Sequence, residues 1–215
     1  MPSPIVVIKV GGSLYDLPDL ASRLRRWLAP ILPSPHLGED KVGAARVVLI
    51  PGGGPLVEAL RHLDRHHGLG EETSHWLALR ALNINAHFLA ALLPSACVIG
   101  DLGELGHVWD NHRLPILDVY KFARDDEQRP DHLPHCWTVT SDALAARVAV
   151  VLQARHLILL KSTTIPPGMD WHEAGRLGLI DAQFAEVLHD APADLYVHAV
   201  NLRKQEGNTT VSESV

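Results

Sequence analysis

The chain reads as an α/β protein whose mostly parallel sheet is covered by helices on both faces. Short β-branched and aliphatic runs such as Ile5-Val6-Val7-Ile8 alternate with longer stretches of helical periodicity. Strands alternating with helices in this way build parallel sheets buried on both sides. Two glycine clusters, Gly11-Gly12 and Gly52-Gly53-Gly54, each stand where an apolar run ends and a helical stretch opens.

Taken in order, a strand over Ile5–Val10 leads into a helix over about Leu17–Leu32, with Leu20, Leu24, Trp27 and Leu28 on one face. Proline and glycine make Pro33–Gly43 a loop. A strand over Arg46–Ile50 meets the second glycine turn, and helix Leu56–His67 stops at Gly68. The Ala- and Leu-rich stretch Glu72–Leu93 predicts a long helix, and Cys97–Ile99 and Pro115–Val119 frame an irregular segment. Arg124–Pro134 is polar and proline-flanked, hence a loop. Helix Asp142–Gln153, capped by Ser141 or Asp142, precedes a buried strand at His156–Leu160. Beyond Pro166-Pro167-Gly168 the regular segments are a helix at Ala182–Leu188 and a last strand at Leu195–Val200. The expected organisation is one domain over residues 1–203 with a flexible tail over 204–215.

Composition narrows the function classes. The 215 residues are 47% hydrophobic and 20% charged, with a net charge of −6 and no Lys/Arg block, which speaks against nucleic acid as a partner. No apolar stretch reaches membrane-spanning length, and Lys9 interrupts an N-terminal run too short for a signal peptide. Only Cys97 and Cys136 are present, too few for a disulfide framework, so a reducing cytoplasm is expected. His62 and His66 have a metal-ligand spacing, but no cysteine or Glu-x-x-His pattern accompanies them. The histidines near them, His67 and His75, are read with them as surface or structural, and no metal site is expected.

The chemistry concentrates at strand ends. Gly11 and Gly12 let backbone N–H groups approach an anion, Ser13 is placed to cap the helix that follows, and Lys9 adds a positive charge at the same point. Gly52, Gly53 and Gly54 carry no charge and suit a second ligand held against backbone donors. Neither cluster is a Walker A loop or a Gly-x-Gly-x-x-Gly turn. Asp142 stands at a strand-to-helix junction, where a carboxylate can hold a lysine or a metal–nucleotide complex in place. The next strand ends in Lys161-Ser162-Thr163-Thr164, a second lysine followed by hydroxyls. Phosphoryl transfer needs mainly positioning and charge neutralisation, and this set supplies both.

Lys9-Val-Gly-Gly-Ser13, Pro51-Gly-Gly-Gly54 and Thr140-Ser-Asp142-Ala-Leu-Ala-Ala-Arg-Val-Ala149, followed by Leu159-Leu160, together resemble the amino acid kinase family. The resemblance implies a three-layer α/β/α sandwich and ATP with Mg2+ as phosphoryl donor. It implies that Lys9 stabilises the transferring group, that Gly11, Gly12 and Ser13 cradle ATP phosphates, and that Asp142 organises the lysines. It gives Gly52, Gly53 and Gly54, with Thr140, to a small-molecule acceptor, and places Ser162 and Thr163 beside the nucleotide.

Two departures from the family pattern bear on the chemistry. Lys161-Ser162-Thr163 stands where many members have an acidic Ser/Thr-Asp step, and the Gly-Gly-Met-x-x-Lys segment with the second catalytic lysine is missing. Lys161 is therefore expected to take the second lysine's role. Overall likeness points to a compact branch acting on a phosphorylated aminomethyl-furan in methanofuran-type C1 cofactor biosynthesis, with Asp110 or Asp118 as partner for the amine. The alternative is a non-catalytic nucleotide- or oxyanion-binding member of the fold, a storage or regulatory protein. The long Ala/Leu helix offers a face for homo-oligomerisation.

Overall fold

The computed structural model describes residues 3–32 and 45–204, with a six-stranded parallel sheet at its centre. In chain order the strands are β1 (Ile5–Val10), β2 (Arg46–Pro51), β3 (Ala96–Ile99), β4 (Leu114–Leu117), β5 (His156–Lys161) and β6 (Tyr196–Asn201). They lie side by side as β3-β4-β2-β1-β5-β6, and every neighbouring pair is parallel. Parallel neighbours require crossovers. The helices that accompany them are α1 (Leu20–Leu28), α2 (Gly54–His67), α3 (Glu71–Leu92), α4 (Leu105–Asp110), α5 (Val119–Asp126), α6 (Ser141–Val151), α7 (Trp171–Arg176) and α8 (Phe184–His189).

Side-chain parity divides the core into two layers. Val6, Ile8 and Val10 of β1 pack with Leu20, Leu24 and Trp27 of α1 on one face of the sheet. Val7 belongs to the opposite layer, with Ala143, Ala146 and Val148 of α6. Strand β5 repeats the pattern: Ile158 and Leu160 join the α1 layer, while Leu157 and Leu159 join the α6 layer. Successive strand residues point to opposite faces, so Lys9 and Lys161 both fall on the α6 side. The expected α/β/α sandwich is the one observed.

Local chemistry explains where the elements differ from expectation. Helix α1 covers only the middle of Leu17–Leu32: Pro18 disfavours helical geometry at Leu17, and Pro30 cannot donate to a preceding turn. The Pro33–Gly43 loop lies outside the described residues, as does the tail beyond Lys204. Helix α5 runs into the stretch expected to be a loop, because the Asp118 side chain accepts from the N–H groups of Tyr120 and Lys121 and starts it. Asp170 caps α7 through the N–H groups of His172 and Glu173. Helix α6 is capped by Thr140, not by Ser141 or Asp142. Ser13 caps no helix; it lies inside a single 3-10 turn at Gly12–Leu14.

One face of α3 is core, with Leu79, Leu82, Ala86 and Leu89 buried, but Ile84 is 59% and Phe88 40% exposed. Among the described residues no helix is long and apolar enough to cross a membrane.

Candidate functional site

The strand order reverses between β1 and β5, and ligands of open α/β sheets bind at the carboxyl ends of strands at such a point. Lys9 and Lys161 stand there. Lys9 Nζ is 2.8 Å from one oxygen of Asp142, and Lys161 Nζ donates to the other at 2.7 Å. Lys9 and Asp142 are buried, and Lys161 is half-buried. Burial works against the Asp142 charge, but Lys9 and Lys161 outweigh it and hold its carboxyl down to about 2. Burial, partly offset by Asp142, lowers Lys161. One carboxylate thus fixes two cations, leaving a net positive charge at the mouth of the sheet.

The glycine turns abut one another. A Cβ on Gly12 would lie 2.1 Å from the Gly54 nitrogen, and one on Gly52 would lie 2.3 Å from the Gly12 nitrogen. Gly54 has φ +55°, a left-handed conformation suited to glycine. Not every N–H faces outward. Gly11 donates to the Leu160 carbonyl at 2.8 Å and Gly52 to the Tyr15 hydroxyl at 2.9 Å. These two bonds lock the turns to β5 and to each other's flank. Ser13 Oγ lies 2.8 Å from Ser162 Oγ, joining the first turn to the segment after β5, while Thr163 is exposed. Arg203, just past β6, donates to the Ser13 carbonyl at 2.6 Å.

Three residues of the site carry no local sequence signal. Asn85, buried on α3, donates to the carbonyls of Gly52 at 2.8 Å and Gly53 at 2.7 Å. Tyr15 holds the Gly52 N–H, and burial pushes its phenol up. Asp181, between α7 and α8, accepts from Thr140 Oγ1 at 2.8 Å, the Thr140 N–H at 3.2 Å and the Ala143 N–H at 2.7 Å, all on one oxygen. Its other oxygen is buried without a partner among the described residues. Burial and then the charge of Asp142 push Asp181 up to about 6.

Residues 4–164 match the model of the amino acid kinase family. The chain belongs to that family. It is 25% identical over 154 residues to the (5-(aminomethyl)furan-3-yl)methyl phosphate kinase of Methanocaldococcus jannaschii, an overlap of 71% of this chain and 63% of that protein. The chain therefore spans less than two thirds of that relative's length. The fold is similar to that of UMP kinase from Bacillus anthracis, with TM-score 0.63, 17% identity and coverage of 95% of this chain and 89% of that one. Uridylate kinase from Archaeoglobus fulgidus gives TM-score 0.59 and 17% identity over 93% and 92% of the two chains. Aspartate kinase from Synechocystis gives 0.60 and 12% over 94% of this chain and 38% of that one.

On the side of the second glycine turn, this family member has a small cleft of about 50 Å3 that opens to solvent. It touches Gly53 and Thr140 and lies between α2, α3 and residues 136–141. Val57, Ala78, Leu79, Leu82, Val139 and Leu144 give it apolar walls, and Arg61, His75, Cys136, Trp137 and Ser141 also line it. Burial and the neighbouring His135 pull His75 down to about 4, so its ring is neutral at pH 7. Asp110 and Asp118 stand outside this lining. Asp110 is exposed at the end of α4, whose Trp109 bonds the Val47 carbonyl near the amino end of β2. Asp118 is occupied in capping α5.

Proposed function

We propose that the chain transfers the γ-phosphoryl group of ATP to a small-molecule acceptor. The observation that carries this reading is the pairing of Lys9 and Lys161 on Asp142 beside two touching glycine turns. Gly12 and Ser13 offer backbone N–H groups to the donor phosphates, and Ser162 and Thr163 flank the same side. Gly53, Gly54 and Thr140 face the acceptor; Gly11 and Gly52 act through the close packing that only glycine permits. An acceptor oxygen attacks the γ-phosphorus, the bond to the β–γ bridging oxygen breaks, and its electron pair leaves on ADP. Lys9 neutralises charge gathering on the transferring group, and Lys161 takes the second lysine's part on the leaving side.

Mg2+ fits this arrangement as a passenger of the nucleotide. Both Asp142 oxygens are engaged by lysines, and among the described residues no group of three or more His, Cys, Asp or Glu side chains is placed to hold a metal. Bound on the triphosphate, the ion supplies charge neutralisation.

The acceptor we favour carries a phosphate on a small heteroaromatic body, as the name of the archaeal relative describes for that protein. The apolar cleft walls support it, since an amino-acid acceptor would leave its charged groups facing Leu79, Leu82 and Leu144. ADP release from ATP, measured with a panel of phosphorylated and unphosphorylated acceptors, tests the reading. Tight ATP binding with no acceptor-dependent ADP release would establish the non-catalytic alternative instead. Self-association through the exposed Ile84 and Phe88 belongs to the same proposal, and analytical ultracentrifugation reads it.

A further inference from the structure

We infer that Asp181 is a positioning residue of the phosphoryl-transfer centre: from between α7 and α8 it clamps the first turn of α6, so that Asp142 meets both lysines. This rests on the kinase reading above and deepens it at the lysine–aspartate set.

Asp142 is the second residue of α6, and it stands between the two residues that Asp181 holds. The N–H groups of a helix's first turn have no partner within the helix. Thr140 caps that turn, but its bond from the Asp142 N–H is 3.5 Å long, at the outer limit of a hydrogen bond. One Asp181 oxygen does more, accepting from Thr140 Oγ1 at 2.8 Å, the Thr140 N–H at 3.2 Å and the Ala143 N–H at 2.7 Å. The firmer hold on the turn is therefore that of Asp181, and its negative charge suits the positive end of α6. Asp181 is itself well rooted. Ile180 before it and Phe184 after it are buried, and the Phe184 ring meets Trp171 of α7 edge-on at 5.3 Å. A group held this firmly can in turn hold a reacting set in place.

The same carboxylate bears on the charge of Lys161. Burial and then the charge of Asp142 push Asp181 up to about 6, so it is ionised at pH 7 and above. Its second oxygen is buried without a partner among the described residues, so no hydrogen bond disperses that end of the charge. Burial lowers Lys161, as does Lys9, while Asp142 and then Asp181 act to raise it. Two carboxylates thus keep the Lys161 ammonium charged against its surroundings. The other charged side chains on the packed elements are occupied or face water. Arg147 of α6 binds Asp126 and Asp131, Arg176 of α7 pairs with Glu173, and His172 of α7 lies 3.9 Å from Glu186 of α8. His189, at the end of α8, is exposed. A residue that only capped a helix would fix the backbone and leave the chemistry of the lysines alone; Asp181 reaches both.

The experiment is NMR of the full chain carrying isotope-labelled lysine, read on the side-chain ammonium and ε-methylene signals. The sequence holds five lysines, Lys9, Lys41, Lys121, Lys161 and Lys204, and Lys161→Arg assigns the signal that matters. In Asp181→Asn, which keeps an oxygen for Thr140, the Lys161 ammonium should exchange with water about tenfold faster or more and titrate at lower pH than in the parent. The exposed Lys121 is the internal control and should not change. Asp181→Ala removes the clamp as well and should free the Lys9 ammonium too; should that variant unfold, Asp181→Asn still decides. Either a Lys161 exchange rate within twofold of the parent or an unmoved Lys161 titration in Asp181→Asn overturns the assignment. ATP binding to the parent, measured by calorimetry alongside, tests the reading underneath. A parent that binds no ATP sinks the kinase reading, while the lysine signals still report on the clamp.

Discussion

Gly12 and Gly54, from separate strand ends, are packed so closely that a methyl group on Gly12 would fall 2.1 Å from the Gly54 nitrogen. The two glycine turns therefore share a wall of bare backbone. Nothing but hydrogen fits at Gly12, so Gly12→Ala must push the two turns apart. We expect loss of most phosphoryl transfer and destabilisation of about 1–3 kcal/mol, the cost of overpacking a well-filled site. Gly106→Ala, on the exposed side of α4 with open space around it, is the control and should be neutral or stabilising by up to about 1 kcal/mol. Thermal melts of the two variants separate these outcomes.

Asp142 carries two buried or half-buried cations by itself. Asp142→Asn leaves both lysines without a counter-charge, which should cost about 3–5 kcal/mol in denaturant titrations. Lys161→Ala removes a positive charge that is partly offset by Asp142, so the fold should survive while turnover falls on the order of 100-fold or more. Undiminished ADP release by Lys161→Ala would show that its assigned role is wrong.

Asp181 and His75 impose opposite pH slopes. The Asp181 carboxyl is raised from 3.8 to about 6, so the folded state holds its proton more firmly, and that contribution is lost as pH rises from about 4 through 6. The His75 ring is lowered from 6.5 to about 4, so its contribution is present above that range and lost as pH falls through it. In the parent the two partly cancel. Asp181→Asn keeps an oxygen for Thr140 and Ala143 but abolishes the first slope. The stability of Asp181→Asn minus that of the parent should rise by about 1–3 kcal/mol between pH 4 and pH 7. Paired melts across that range would expose a flat difference, and with it an error in the Asp181 assignment.

Asn85→Ala should act at a distance from the phosphates. It strips the Gly52 and Gly53 carbonyls of their donor within a buried setting, at about 1–3 kcal/mol. The second glycine turn loosens while the Lys9–Asp142–Lys161 set stays intact, so under the proposed function KM for the acceptor should rise with ATP affinity unchanged. A rise in both would place Asn85 in support of the whole crevice.

The lysine geometry was legible because it is a matter of parity: Lys9 follows Val7 by two and Lys161 follows Leu159 by two, so each shares its neighbour's face. The glycine turns were equally visible, since glycine is the residue a tight strand-to-helix junction demands. What could not be read was which N–H groups stay available. Gly11 and Gly52 looked like donors, yet Leu160 and Tyr15 take those bonds across the fold. Asp181 reaches Thr140 over 41 positions, and Asn85 reaches Gly52 over 33. Neither residue has a local pattern that sets it apart from a surface Asp or a helical Asn. Helices α4 and α7 escaped because their six residues each hold a glycine and few apolar side chains, whereas the equally short α8 shows Phe184, Ala185, Val187 and Leu188.

Helix α2 contributes Val57 and Arg61 to the cleft beside Gly53, yet none of its residues is buried. Its hold on the rest of the molecule is shallow, so its amides should exchange with solvent sooner than those of β1 or α6. The same shallowness gives substitutions there little leverage over the fold. The wall of this cleft can thus change its residues while the lysine–aspartate centre, at the carboxyl ends of β1 and β5, stays untouched. A scaffold divided in this way can exchange one substrate for another without first having to be restabilised.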